Sequence, residues 1–263
     1  MDNLQKLLDI MKKLRDPNDG CTWDVEQTFE TIAPYTIEEA YEVAEAIDNK
    51  DMDALKDELG DLMFQAVFHA RMAEEEGHFN FADVIDAISD KMIRRHPHVF
   101  GDENYRNAEE QTIAWEEQKA KERAAKKQKS ILDGVTVGLP ALTRAVKLQK
   151  RAARVGFDWP NTSGVIDKLN EEMAELSEEL IAIKQDHEKI EEEFGDMMFV
   201  YANLARHLKI DPEQALKKAN NKFTRRFNKI EQDIENKQSS FDQYSLEELE
   251  EFWTKAKKEE KSE

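Results

Sequence analysis

The sequence predicts an all-α protein built from two tandem copies of one small helical bundle. Its 263 residues include only 9 glycines and 6 prolines, whereas 36% are charged. Few helix breakers and many charged residues are typical of long, solvated helices joined by short connections. The alternation that marks strands is absent, and apolar residues instead recur at steps of three and four. The length suits one large domain or two small ones.

Two segments of the chain repeat each other about half a chain length apart. In the first half, EEAYE at 38–42 is followed by ELGDLMF at 58–64. In the second half, EEMAE at 171–175 is followed by EFGDMMF at 193–199. Such a long offset indicates a duplicated domain, because a solenoid repeats at a shorter period.

The two copies are separated by a break in the helical pattern. A stretch with two glycines, a proline and no helical period is typical of a linker. We therefore predict a first repeat over 1–125, a linker over 126–140 and a second repeat over 141–263. Trp115 in the first repeat then corresponds to Trp253 in the second.

Apolar residues recur at helical spacing in both copies. In the first copy they occur at 40, 43, 44 and 47, and in the second they form one long stripe that predicts an amphipathic helix. The stripe consists of Ile166, Leu169, Met173, Leu176, Leu180 and Ile183. Thr36, three residues before Glu39, resembles a capping box and predicts that a helix begins there.

Paired carboxylates are the strongest candidates for chemistry. Glu172 and Glu175 are three residues apart and share one helix face, and Glu193 and Asp196 form a second such pair. Two helices that each offer two inward carboxylates provide oxygen ligands for a hard cation such as Mg²⁺. A solvated helix flank is the simpler interpretation of either pair alone. The corresponding acids of the first repeat are Glu39, Glu42, Glu58 and Asp61.

Asp196 lies in a segment that is apolar on nearly every side. The run 194–202 predicts a buried helix. An ionised carboxylate in such a helix needs a bound cation, or an Arg or Lys partner, to compensate its charge. Gly60 and Gly195 sit between the paired acids, where a missing side chain predicts close approach of another helix.

The charge balance restricts the class of ligand. With 57 acidic against 38 basic residues the formal net charge is -19, which opposes binding to nucleic acid. A small phosphorylated ligand is compatible, because a divalent cation bridges carboxylates to phosphates. The single Cys21 excludes an internal disulfide, which fits a reducing compartment. Without a signal-peptide pattern or a long apolar run, we expect a cytoplasmic protein that does not bind membranes.

Two histidines, His96 and His98, flank Pro97 and have no counterpart in the second repeat. They suit a metal pair less well than a structural turn, because Pro97 would end a helix at this point.

The spaced pattern of EExxE followed by ExxD resembles the motif of MazG-type nucleoside triphosphate pyrophosphohydrolases. The similarity spans both copies and includes GCTWD at 20–24 and RRHPHVF at 94–100. It implies an all-α fold, dependence on Mg²⁺ and assembly as a homodimer. It also implies cleavage between the α- and β-phosphates of nucleoside triphosphates, which yields a nucleoside monophosphate and pyrophosphate.

This resemblance gives the acids of the second repeat expected roles. Glu172, Glu175, Glu193 and Asp196 would hold Mg²⁺, and one of them or Glu192 would accept the proton of the attacking water. The side chains expected to bind substrate are Lys168, Glu171, Lys189, Asn203, Lys222, Arg226 and Trp253. Lys222 and Arg226 would donate hydrogen bonds to the phosphates, and Trp253 would provide a ring on which a base stacks.

Differences around the acids favour the second repeat as the catalytic one. At four positions the second repeat carries a lysine or an asparagine that suits an anion or a base edge better than its counterpart does. The changes from first to second repeat are Tyr35 to Lys168, Ala54 to Lys189, Phe68 to Asn203 and Asp90 to Asn221. The first repeat is then expected to be a degenerate or regulatory copy.

Two alternatives remain open from the sequence. One is a non-catalytic helical scaffold whose acids are solvated, although paired acids within apolar helices count against it. The other is a dUTP-specific hydrolase of similar helical type. Base and sugar preference depend on pocket shape, which no motif here determines.

Overall fold

The structure, a computed structural model, describes residues 3–101, 107, 110 and 130–260. Every regular element within these residues is a helix, so the expected all-α class is confirmed. The chain divides into two compact units, Met1–Lys119 and Ala120–Glu263. Trp115 and the predicted boundary between 125 and 126 lie outside the described residues.

The first unit contains two long paired helices flanked by shorter ones. Its helices are α1 (Asn3–Leu14), α2 (Thr22–Glu26), α3 (Phe29–Asn49), α4 (Met52–Glu75), α5 (Phe81–Arg95) and α6 (Pro97–Phe100). The short connection between α3 and α4 has Lys50 in the left-handed region and Asp51 as the N-cap of α4. The core that holds α1, α3 and α4 together consists of Met11, Ile32, Val67, Phe68 and Met72.

The second unit repeats this arrangement around another long pair. Its helices are α7 (Ala141–Ala153), α8 (Thr162–Ile181), α9 (His187–His207), α10 (Pro212–Asn236) and α11 (Leu246–Glu259), with a 3₁₀ turn at Phe241–Gln243. The buried Gln149 of α7 donates to the carbonyl of Phe199 in α9, at 2.8 Å. Helices α10 and α11 share a core of Ile230, Ile234 and Phe252. The unit therefore places the acids of α8 and α9 on one helix pair.

The expected start of a helix at Thr36 is wrong. Helix α3 begins at Phe29, because Thr28 is its N-cap and forms a reciprocal capping box with Thr31. Pro34 lies within α3 and does not end it. The turn expected at Pro97 is confirmed, since α5 ends at Arg95 and Pro97 begins the next short helix.

The burial expected around Asp196 is also wrong. Asp196 is exposed, and so are its apolar neighbours Phe194 and Phe199. Helix α9 packs through the opposite face, on which Met197 and Val200 are buried. Asp196 therefore faces solvent and needs no buried partner.

Helix α8 forms where the apolar stripe predicts it, but the buried face only partly coincides with the stripe. Val165, Glu172 and Leu176 are the buried residues, whereas Ile166 and Met173 of the stripe are exposed.

The close helix approach expected at the two motif glycines is wrong. A Cβ atom built on Gly60 or Gly195 would meet nothing within 4 Å. Neither glycine is therefore required by packing within its own unit.

Candidate active site

Helices α8 and α9 bring three of the predicted acids together. One carboxylate oxygen of each of Glu172, Glu175 and Glu193 lies within 4.8 Å of the others. Glu172 is only 4% exposed, Glu193 is half-buried and Glu175 is exposed. The three-residue spacing on α8 and the pairing of α8 with α9 produce this cluster, which we call the second acid trio.

The second acid trio concentrates negative charge around Glu193. Burial raises the pKa of Glu193, and the charges of Glu175 and Glu172 raise it further. Asp196 and Glu192 add to the same effect, so both lie near the trio. Carboxylates that repel each other at this distance favour either a proton or a cation between them. The donor set contains only oxygen, which suits Mg²⁺ better than soft metals.

Lys168 contacts the second acid trio directly. Its Nζ lies 2.7 Å from Oε1 of Glu172 and 2.7 Å from Oε1 of Glu171. Hydrogen bonds to these two acids raise the pKa of Lys168. Lys168 therefore stays charged and offsets part of the negative charge at Glu172. Lys189 makes a longer contact, with its Nζ 3.5 Å from Oε1 of Glu179.

The first unit holds a matching cluster, the first acid trio, on α3 and α4. Glu39, Glu58 and Asp61 each place a carboxylate oxygen within 4.8 Å of the others. Burial raises the pKa of Glu39, and the charges of Asp61 and Glu42 raise it further. Among residues 3–101 no ion pair neutralises these three carboxylates.

The first acid trio instead has a neutral amide beside it. Nε2 of the buried Gln65 donates to Oε1 of Glu39 at 3.5 Å, and Oε1 of Gln65 is buried without a hydrogen-bond partner. Gln65 is not among the residues predicted from the sequence. Its position four residues after Asp61, on the same helix face, is the signal that could have identified it.

Asn203 lies apart from the acids. It is buried, and its Oδ1 accepts hydrogen bonds from Nε and Nη2 of Arg206, at 3.0 and 2.6 Å. Arg206 also binds the carboxylate of Asp158, whose Oδ1 lies 3.1 Å from Nε2 of His207. Asn203 thus belongs to a polar network that ties the end of α9 to the segment before α8.

The remaining substrate candidates gather where α10 meets α11. The guanidinium of Arg226 lies 5.5 Å from the centre of the Trp253 ring, and its Nε donates to Oε2 of Glu260 at 2.7 Å. Trp253 also packs against Phe223, while Lys222 is exposed. In the described part of the second unit, no hydrogen bond or ion pair joins this group to the second acid trio.

Comparison with known proteins gives one family for both units. The family model of the MazG nucleotide pyrophosphohydrolase domain matches residues 27–100 and 161–230. The nucleoside triphosphate pyrophosphohydrolase of Escherichia coli strain K12 is 51% identical over 260 residues, which is 99% of each chain. A nucleoside triphosphate pyrophosphohydrolase/pyrophosphatase MazG of Thermotoga maritima is 46% identical over 253 residues, covering 96% of this chain and 95% of that protein.

A crystal structure of a mazG-related protein from Thermotoga maritima aligns with a TM-score of 0.38 and 30% identity, over 44% of this chain and 98% of that chain. The two domain matches coincide with the duplicated motifs and together cover more than half of the sequence. Since the relatives named above also match along nearly their whole length, the chain belongs to the MazG nucleotide pyrophosphohydrolase family.

Proposed function

We propose that this protein hydrolyses ribo- and deoxyribonucleoside triphosphates to a nucleoside monophosphate and pyrophosphate, with Mg²⁺ as cofactor, at the second acid trio. Its family and its full-length relatives identify it as a pyrophosphohydrolase rather than a non-catalytic scaffold. The observation that carries the site is the convergence of Glu172, Glu175 and Glu193 from two helices within 4.8 Å.

In this mechanism Glu172, Glu175, Glu193 and Asp196 would hold the cation. The exposed Asp196 is accessible to complete the ligand set. Bound Mg²⁺ supplies charge neutralisation for the phosphates and lowers the pKa of water. The oxygen of water attacks the α-phosphorus, and the bond from that phosphorus to the bridging oxygen breaks as pyrophosphate leaves. One of these carboxylates or Glu192 accepts the proton of the attacking water.

The surrounding cations bind the phosphate chain. Lys168 contacts Glu172, which would be a ligand of the Mg²⁺ ion. A phosphate that binds this ion would then replace Glu172 as an anionic partner of Lys168. Lys189, Lys222 and Arg226 add further positive charge, and Trp253 offers a ring face to the base. Glu171 orients Lys168, at 2.7 Å. Asn203 acts through Arg206 by positioning the end of α9.

A second copy of the chain is the expected partner. Apolar side chains on the α8–α9 pair are exposed in the single chain, including Ile166, Met173, Leu180, Phe194 and Phe199. A homodimer that covers them would remove this apolar area from water. Light scattering should give a mass near twice the 30.6 kDa of one chain. A mass of one chain at micromolar concentration would reject the dimer.

No helix in the described residues is long and apolar enough to cross a membrane. We retain the cytoplasm as the proposed location and propose neither nucleic acid nor membrane as a partner.

The decisive experiment identifies the products from a panel of common ribo- and deoxyribonucleoside triphosphates with Mg²⁺. We expect pyrophosphate and nucleoside monophosphate from several members, and no turnover after the cation is chelated. Nucleoside diphosphate with orthophosphate would reject the cleavage position. Turnover of dUTP alone would reject the broad substrate range and favour the dUTP-specific alternative.

A further inference from the structure

A cavity of about 450 Å³ lies in the second unit, away from the second acid trio. It is formed by α7, the end of α9 and the turn that leads into α10. Glu193 and Arg206, both on α9, are about 20 Å apart at 1.5 Å per residue. The cavity is therefore separate from the proposed metal site, and its volume falls in the range of small-molecule sites.

The lining of this cavity is strongly basic. Lys147 and Lys150 of α7, Arg206 of α9 and Lys209 of the following turn all contribute to it. The acid among the lining residues is Asp211, whose carboxylate already accepts the N–H of Gln214 at 3.1 Å. Arg206 is paired with Asp158 and Asn203.

The ammonium groups of the three lysines form no hydrogen bond or ion pair within residues 130–260. Like charges that share one cavity repel each other unless an anion lies between them. This cluster is unusual in a chain whose formal net charge is -19, because most of the surface repels anions. Lys147, Lys150 and Lys209 are thus available to an anionic ligand.

The corresponding cavity of the first unit is lined by acids as well as bases. A cavity of about 270 Å³ between α1 and α4 is lined by Asp9, Lys12, Arg71 and Glu74, two acids and two bases. Arg71 is bound there by Glu74 and by Glu75, each at 2.9 Å. The charges in the first unit neutralise one another, whereas those in the second unit do not.

Lys209 adds its charge at a backbone position that favours glycine. It has a φ of 58°, in the left-handed region, just after α9 ends. Gly77 occupies the corresponding turn after α4, with a φ of 75°. A side chain in this conformation is strained, so the turn itself gives no reason for a lysine. The ammonium group is the property that distinguishes Lys209 from Gly77.

We propose that this cavity binds the phosphate chain of a small, multiply charged phosphate compound without a metal ion. Three ammonium groups together match two or more adjacent phosphates, and the acidic surface around them disfavours a longer polyanion such as nucleic acid. The compound is either free inorganic pyrophosphate or a nucleotide, since both present the same chemistry. Occupancy of this site would report on phosphate compounds independently of the second acid trio.

The test is isothermal titration of the full chain with inorganic pyrophosphate, in EDTA so that no cation bridges phosphates to carboxylates. A parallel titration uses ATP. The double variant Lys147→Gln with Lys209→Gly removes two charges and gives the turn the residue that the first unit uses. We expect both ligands to bind the wild type and to bind this variant at least about tenfold more weakly. Tighter binding of ATP than of pyrophosphate would identify a nucleotide as the ligand, and similar binding would identify the phosphate chain alone.

The matched control is Lys218→Gln, which removes an exposed charge on α10 outside the cavity. We expect it to bind both ligands as the wild type does. Thermal unfolding of both variants near the wild-type temperature establishes that they are folded. No binding to the wild type, or equal binding by the double variant, would overturn the proposal. An equal loss in Lys218→Gln would also overturn it, because it would mean non-specific attraction.

Discussion

The two acid trios of this chain differ in composition and in neighbours. Helix α3 supplies one acid and α4 two in the first trio, whereas α8 supplies two and α9 one in the second. In each, acids from two paired helices place carboxylate oxygens within 4.8 Å of one another. The first trio has the neutral Gln65 at Glu39, and the second has the cation Lys168 at Glu172. An amide leaves the charge of its neighbour unchanged, whereas an ammonium group offsets it and is able to bind phosphate.

This difference suggests how two copies of one duplicated unit came to differ in their ability to bind a triphosphate together with a cation. A cluster of acids alone attracts cations and repels a triphosphate, while a cluster with an ammonium group beside it accommodates both. The same contrast occurs at the cavities of about 270 and 450 Å³ in the two units. Arg71 in the first is paired with acids, whereas Lys209 in the second is not. We therefore expect phosphate chemistry to be concentrated in the second unit.

The largest expected effect comes from matched substitutions in the two trios. Glu193→Gln removes a carboxylate from the second trio and should lower kcat/KM on the order of 10²–10³-fold, because it removes both a cation ligand and a candidate base. Glu58→Gln makes the same change in the first trio and should lower it by less than about threefold. Steady-state pyrophosphate release measures both.

Each variant carries its own check on folding. Burial and neighbouring negative charges raise the pKa of both Glu193 and Glu58. A neutral glutamine removes the charge repulsion at either position, so it should not lower the unfolding temperature measured in the absence of metal. Comparable losses of activity in the two variants would mean that both trios are needed. A loss confined to Glu58→Gln would reverse the assignment of the catalytic repeat.

The fold and the paired acids of each repeat could be predicted from sequence, because both depend on local spacing. Which three acids converge in each unit could not, because it depends on how the paired helices pack. Three-residue steps place Glu172 beside Glu175 on any α-helix, and the duplication shows which helices pair. The neighbours of the acids could not be predicted in the same way. Asp196 was expected to be buried among apolar residues, but the packed face of α9 is the one that carries Met197 and Val200.

Competition between neighbouring groups also decides what a correctly spaced residue contacts. The sequence predicts that Asn203 binds substrate, yet the carbonyl oxygen of its side chain accepts hydrogen bonds from Arg206. Lys168 was expected to meet phosphate and contacts two carboxylates in the protein alone. These partners are three or four residues away on the same helix, so periodicity brings them within reach. Periodicity does not decide which of the groups within reach forms the hydrogen bond.

A smaller effect tests whether Lys168 binds phosphate or only neutralises Glu172. If it binds the triphosphate, Lys168→Gln should raise KM about tenfold and change kcat less, because one charged hydrogen bond to the substrate is lost. Lys189→Gln is the matched control, since Lys189 contacts Glu179 at the longer distance of 3.5 Å and should raise KM only about two- to threefold. Initial rates over a range of nucleotide concentrations at saturating Mg²⁺ separate KM from kcat.

The alternative role of Lys168 predicts a different pattern. A lysine that only offsets the charge of Glu172 and Glu171 competes with the cation for the same oxygens. Its removal would then lower the Mg²⁺ concentration needed for half-maximal rate and leave KM for the nucleotide unchanged. Tyr35→Lys adds the same charge beside the first trio, and combined with Glu193→Gln it should give no more turnover than Glu193→Gln alone. Turnover clearly above that of Glu193→Gln would show that a single cation separates the two repeats, and the contrast between the trios would then reduce to one residue.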